Sequence, residues 1–280
     1  MRLQDMLEWS AQLAGCAEIP ADSQVYIEAE GDIERLLVGV DIGVPELLYA
    51  QQAGFDAVLA HHPVGDRAVA DFGLVVRRQF DQMTAEGVPA EAAERAIAAR
   101  LAGRHRAEHM SNVNRTVDTA RLIGMPLANI HLAADILGRQ AVVDLLLARD
   151  STGATVADAL SWFDDLPEMR AALHRPEAWV GEPASPLGRW TVAMAGGTNG
   201  GHPVFREYYR AGVDTIFCMH IAEGDLLRLR EEAPANANLV VTGHMATDSV
   251  GLNRVIAGLE QRGIAVTRTS GILEGAPPPL

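Results

Sequence analysis

The chain is 280 residues long and carries 23 basic against 37 acidic residues, a net charge of -14. A surface of that sign repels phosphate backbones, so general nucleic-acid binding is disfavoured. Every basic residue is arginine and lysine is absent, which excludes a P-loop lysine, a Schiff-base lysine and a pyridoxal-phosphate enzyme.

The two cysteines, Cys16 and Cys218, are too few and too far apart for a disulfide framework or a thiolate zinc site, and read as small core residues. Any metal ligands must then be histidine and carboxylate. No apolar run approaches the roughly 20 residues that span a bilayer. Met1-Arg2-Leu3-Gln4-Asp5 lacks a secretory pattern, so no membrane partner is expected and the cytosol is the expected compartment.

In chain order, Arg35 to Val40 reads as a strand that ends at Asp41-Ile42-Gly43. Pro45 opens a helix that Gly54 closes. Ala57 to Ala60 is a buried strand, and His61-His62-Pro63 follows at its carboxyl end, where open α/β sheets present their ligands. From Pro63 to Leu127 the chain is rich in Ala, Arg and Glu. It breaks at Gly87-Val88-Pro89 and at Gly103, which predicts two or three helices. A short apolar run from Leu127 leads into His131-Leu132-Ala133-Ala134-Asp135.

The pattern then returns. Near Asp150-Ser151-Thr152-Gly153 a boundary is expected, and Thr155 caps a helix through about Phe163. Trp190 to Ala195 is a strand, Gly196 to Gly201 a loop, and Pro203 to Ala211 a helix. Gly212-Val213-Asp214 through His220 repeats Gly54-Phe55-Asp56 through His62, with Gly, Asp and the final His in common. Val240-Val241-Thr242-Gly243-His244-Met245-Ala246-Thr247-Asp248 repeats the earlier H-x-x-x-D segment. The expected fold is α/β, with two related halves (1–150 and 151–280) packed around a metal site and a helical insertion at about 64–125 in the first. The carboxyl-terminal Gly275-Ala276-Pro277-Pro278-Pro279-Leu280 reads as a disordered tail.

Two halves that each offer H-x-x-x-D can face each other across a pseudo-two-fold axis. Histidine suits zinc and other first-row ions and carboxylate suits harder ones; mixed sets are typical of paired-metal hydrolases. Adjacent His61 and His62 would point to opposite faces of a strand. Pro63 holds His62 extended and stops a helix from starting, so a strand that ends at Ala60 lets both imidazoles turn towards one site.

Val38-Gly39-Val40-Asp41, the H-H-P corner, the His131/Asp135 segment, the glycine-rich loop after Met194 and Gly243 to Asp248 stand in the order of a known family. The chain resembles the Nif-three-like dinuclear metal centre proteins, also called the GTP cyclohydrolase 1 type 2 family. That resemblance implies a two-domain α/β subunit, a homo-oligomer in the form of a hexameric ring, and two divalent ions such as zinc, iron or manganese per subunit. It implies the ligands His61, His62, Asp135, His244 and Asp248, with Asp135 bridging and His131 beside the metals as ligand or proton-transfer group. The implied activity is metal-dependent hydrolysis of a small molecule, with a nucleotide, GTP, as the named candidate. Three positions depart from the family pattern: Asp248 stands for glutamate, Leu132-Ala133-Ala134 for Thr-Asn-Leu, and Cys218-Met219-His220 for Thr-Gly-Asp. His220 reads as a loop histidine or an added ligand.

Two other function classes compete. A ring-forming scaffold or partner-binding protein would use closed, structural metals. A zinc peptidase, the minor alternative, would use His105, Glu108 and His109, which match H-x-x-E-H, although a solvated charged helix face is the preferred explanation. The loop from Gly196 to Gly201 either binds phosphate or simply makes tight turns.

Overall fold

The structure, a computed structural model, describes residues 1–197 and 199–274; the expected carboxyl-terminal tail lies outside the described residues. In chain order come α1 (Leu3–Leu13), β1 (Gln24–Ile27), β2 (Arg35–Gly39), α2 (Val44–Ala53) and β3 (Ala57–Ala60). Then follow α3 (Asp66–Ala70), α4 (Phe72–Val76), α5 (Arg78–Ala85), α6 (Ala90–His109), α7 (Arg115–Ile123), β4 (Leu127–Asn129) and α8 (Leu132–Leu147). The rest holds α9 (Val156–Trp162), α10 (Pro167–Ala171), β5 (Glu177–Val180), β6 (Trp190–Val192), α11 (Gly201–Arg210) and β7 (Thr215–Cys218). Last come α12 (Glu223–Glu232), β8 (Asn238–Val241), α13 (His244–Glu260) and β9 (Ala265–Thr269).

The strands form two sheets, in the orders β1-β4-β3-β2-β9 and β5-β8-β7-β6. In each, the first strand is an antiparallel edge with a bulge, between Val25 and Ile27 in one and between Ala178 and Val180 in the other. The strands inside those edges run parallel. The duplication read from the recurring motifs is therefore a duplication of topology, and the first sheet adds β9 beside β2.

The chain divides into two compact units. The first comprises Met1–Val75, His105–Gly138 and Asp248–Ile272, and contains the five-stranded sheet. Its inner strands β2, β3 and β4 are buried on both faces, as parallel strands covered on both sides must be: Leu36, Leu37 and Val38 are fully buried, as is the whole of β3. Helices α2 and α7 cover one face through Leu47, Ala50, Ala120 and Met125, which pack on Leu37, Val58 and Leu127. Helix α2 begins where the Glu46 carboxylate accepts the Gly43 N–H at 2.8 Å. It ends because Gly54 takes φ of 72°, which lets Phe55 N–H reach the Ala50 carbonyl at 3.0 Å.

The second unit is built chiefly from Val76–Arg104 and Arg139–Thr247. Phe163, Trp190 and Phe217 pack edge to face or tilted over its sheet. Thr155 caps α9 as expected, its hydroxyl accepting the Asp158 N–H while Asp158 accepts the Thr155 N–H at 2.8 Å. Gly197 and Gly200 in the loop before α11, and Gly201 at its first position, all take positive φ, the backbone of tight turns.

Two sequence expectations need adjustment. The segment expected to hold two or three helices holds five, because Gly103 stays inside α6 and short α3 and α4 precede α5. Cys218 is a core residue but Cys16 is only half-buried. The packed units interleave along the chain: β9 pairs with β2 from Arg35↔Ala265 to Gly39↔Thr269 and brings residues 265–269 back to the first sheet.

Candidate metal centre

The first unit gathers three imidazoles and two carboxylates at the carboxyl ends of β3 and β4. Strand β3 stops at Ala60, and His61 and His62 continue its backbone pairing with N–H bonds to Gly39 O at 2.8 Å and Val40 O at 3.1 Å. Their rings nevertheless lie 5.0 Å apart and tilted by 40°, so both serve one site. His131 follows β4, and its carbonyl accepts the Asp135 N–H at 3.1 Å in the first turn of α8. Asp135 thus sits where the helix N-terminus favours a negative charge.

Asp248 arrives on α13, one turn after His244. Helices α8 and α13 cross closely enough in the first unit that a Cβ at Gly251 would run into the Ala134 carbonyl and lie 3.1 Å from Gly138 N. This crossing accompanies the approach of Asp135 and Asp248 to one atom, the Nε2 of His61. Asp135 Oδ1 is 3.3 Å and Asp248 Oδ1 3.7 Å from His61 Nε2. The second oxygens point outward, Asp135 Oδ2 at 3.8 Å from His131 Nε2 and Asp248 Oδ2 at 3.5 Å from His62 Nε2. The result is an alternating row: His131, Asp135, His61, Asp248, His62.

Each imidazole in the row is fixed by what its other nitrogen touches. His61 Nδ1 lies 2.9 Å from the Ile130 carbonyl, His62 Nδ1 2.7 Å from Asp41, and His131 Nδ1 2.6 Å from Asp22. A carbonyl or carboxylate oxygen can only accept, so in all three Nδ1 carries a proton and Nε2 faces the row, with a lone pair whenever the ring is neutral. Histidine ligands of metals are oriented by this type of contact. Asp22 is itself fully buried; its backbone carbonyl accepts from Asn129 Nδ2 at 2.7 Å, and Tyr26 donates to Asn129 Oδ1 at 2.8 Å.

Two atoms of the row are left for a cation to satisfy. His61 Nε2 and Asp135 Oδ1 are buried and make no hydrogen bond among the described residues. Burying polar atoms in that state costs on the order of 1–3 kcal/mol each. The spacings suit ligands better than hydrogen bonds: two atoms about 2.0–2.1 Å from one tetrahedral ion lie roughly 3.4 Å apart. Within the first unit, the ligand atoms of His61/His62/His131 lie within 4.8 Å of one another, and so do those of His61/Asp135/Asp248. The donor set, imidazole with carboxylate, fits zinc, iron or manganese.

Protonation shows the same demand for positive charge. Burial alone would push the His61 imidazole down, but the carboxylates of Asp248 and Asp135 outweigh it and hold it well above its ordinary value. His131 is likewise disfavoured as a cation by burial, and the Asp135 charge and the Asp22 hydrogen bond raise it on balance. A proton occupies the place a cation would take.

Of the expected site residues, His61, His62, His131, Asp135 and Asp248 converge in the first unit. His244 opens α13 in the second unit, on the same helix face as Asp248 by its i,i+4 spacing, and its ring is 4.3 Å from that of His220. His105 and His109 sit exposed in the last turns of α6, with rings 5.7 Å apart. The acceptors Asp22 and Asp41 had no role assigned from sequence. Asp41 follows a strand end, a place that invites attention; Asp22 lies in Pro20-Ala21-Asp22-Ser23, which reads as an ordinary turn.

A duplicated α/β topology with a buried His/Asp cluster able to hold a metal defines the class of this protein. Among solved structures, the chain is similar to a NIF3 superfamily protein from Sphaerobacter thermophilus, with a TM-score of 0.93 and 40% identity over 97% of this chain and 98% of that one. HcgD from Methanocaldococcus jannaschii in its reduced form shares the fold at a TM-score of 0.58 and 11% identity, covering 96% of this chain and 97% of that one. The protein ybgI shares it at 0.53 and 15%, covering 99% and 100%. No family model and no curated protein matches the chain. It belongs to the NIF3 superfamily, the Nif-three-like family its motifs resemble. No described helix is long and apolar enough to cross a membrane.

Proposed function

We propose that this protein is a metal-dependent hydrolase of the cytosol that holds two divalent ions with His61, His62, Asp135, His244 and Asp248. The observation that carries the reading is the alternating imidazole–carboxylate row, with every Nε2 turned inward and buried atoms left unsatisfied. Bound divalent ions would lower the pKa of a water molecule and polarise the bond under attack. Asp135 directs its two oxygens at different imidazoles, the arrangement of a bridging carboxylate. His131, held by buried Asp22, keeps a basic Nε2 and is the group that takes a proton from the attacking water. His62 is the most open member of the row, its side chain 24% exposed, and marks the side from which a small substrate enters.

A nucleotide, with GTP ring opening as the named candidate, is the substrate class, and a hexameric ring is the proposed assembly. The test is elemental analysis of the purified protein together with metal-dependent turnover of a hydrolase panel that includes GTP. Two ions per subunit and turnover abolished in Asp135→Ala are expected; turnover unchanged in that variant rejects the assignment. Light scattering in solution tests the ring. Burial of His61, Asp135 and Asp248, each at most 6% exposed, favours a second reading, a scaffold with closed structural metals. Bound metal without turnover of any panel member supports that reading.

A further inference from the structure

His62 and His220 occupy matching places in the two sheets, each two residues beyond the strand, β3 or β7, that lies between the other two parallel strands of the repeat. Each has a side chain on its Nδ1 that stands 21 residues earlier in the chain: Asp41 at 2.7 Å for His62, Asn199 at 2.9 Å for His220. The two partners differ in what they can do. A carboxylate only accepts, so Asp41 leaves His62 with a proton on Nδ1 and a lone pair on Nε2.

Asn199 is fixed the other way round. The Arg100 guanidinium, which only donates, bonds Asn199 Oδ1 at 3.0 Å, and Arg100 is in turn 3.5 Å from Asp225. With its oxygen committed to Arg100, the amide presents its NH2 to His220. His220 Nδ1 is then an acceptor, and the proton of the neutral ring sits on Nε2. Asn199 is only 8% exposed, so its orientation is set by these partners rather than by solvent. The His220 ring packs 4.3 Å from that of His244, which the metal-centre reading makes a ligand.

We propose that Asn199 determines which histidines ligate metal: it holds His220 as an Nε2–H donor and so keeps it from serving as an additional ligand. This inference rests on the metal-centre reading for its functional meaning. Where His62 offers a lone pair to a cation, His220 offers a hydrogen bond to an acceptor.

The experiment is imidazole 15N–1H correlation spectroscopy on the full chain, stripped of metal by a chelator, together with zinc titrations. His220 is expected as the Nε2–H tautomer and His62 as the Nδ1–H tautomer; His220 found protonated on Nδ1 alone overturns the inference. His220→Ala is expected to bind zinc with unchanged stoichiometry and within about twofold of the parent affinity, whereas a loss of tenfold or more overturns it. Asn199→Asp gives His220 the partner chemistry of His62, and is expected to reverse its tautomer and tighten zinc binding by about 10-fold or more. A folded Asn199→Asp protein with tautomer and affinity unchanged overturns the proposal. Should that variant not fold, the spectrum of the parent protein and the His220→Ala titration still decide. Should the parent bind no zinc, the metal-centre reading fails while the tautomer measurement stands on its own.

Discussion

The two sheets share one strand order, yet their carboxyl ends have different chemistry. Beyond β3 and β4 the first unit places His61, His62 and His131, each backed by an acceptor, with two carboxylates between them. Beyond β7 and β8 the second unit has Met219 where the first has His61, and an amide where the first has Asp41. A duplicated scaffold thus supplies two comparable platforms, which differ in the number of imidazoles and in the partner behind the matched pair His62 and His220.

That contrast can be broken outright at its centre. Asp135→Ala removes the carboxylate between His61 and His131 and is expected to eliminate binding of at least one ion with all metal-dependent turnover, read by elemental analysis and assay. A smaller effect is expected behind the row. Asp22→Asn puts an amide where His131 needs an acceptor, making it resemble His220, and should cost about 10–100-fold in metal affinity or activity. The same exchange at exposed Asp41 should cost less, because solvent can replace the lost acceptor. Equal losses at the two sites would show that burial of the acceptor is irrelevant.

The helix crossing gives a third test. Gly251→Ala drives a methyl into the Ala134 carbonyl, and overpacking of this type costs about 1–3 kcal/mol. A lower melting temperature and weaker metal binding should appear together; a lower melting temperature alone would separate the crossing from the site.

A pH titration sharpens the charge argument. In chelator-treated protein the raised His61 contributes stability that is complete below its unfolded value of about 6.5 and is lost as pH rises through the higher folded value. Melting temperature should therefore fall as pH rises above neutrality, and bound metal should remove that fall by taking the proton's place. The smallest effect is expected at His105 and His109: their joint replacement by alanine should leave metal content unchanged, and loss of all metal would favour the peptidase reading.

Much of the site was legible because it is local. The strand before His61-His62, the Pro63 corner and the H-x-x-x-D spacing each arise within a few residues, where periodicity and turn chemistry act. The repeat of Gly-x-Asp ahead of a histidine exposed the duplication for the same reason. What stayed hidden is long-range. Asp22 meets His131 across 109 residues of chain, and nothing in Ala21-Asp22-Ser23 announces a buried acceptor. The pairing of β9 with β2 is equally invisible, because a strand of alternating burial at the end of a chain carries no mark of its neighbour.

The glycine at 251 bears on the reach of Asp248, one turn before it on α13. A carboxylate one methylene shorter than glutamate must start from a backbone that stands nearer, and a residue without a side chain is what permits that nearness. Positions 248 and 251 are therefore linked like a lever and its fulcrum: lengthening the arm calls for moving the pivot outward. Asp248→Glu combined with Gly251→Ala should recover part of what either change loses alone.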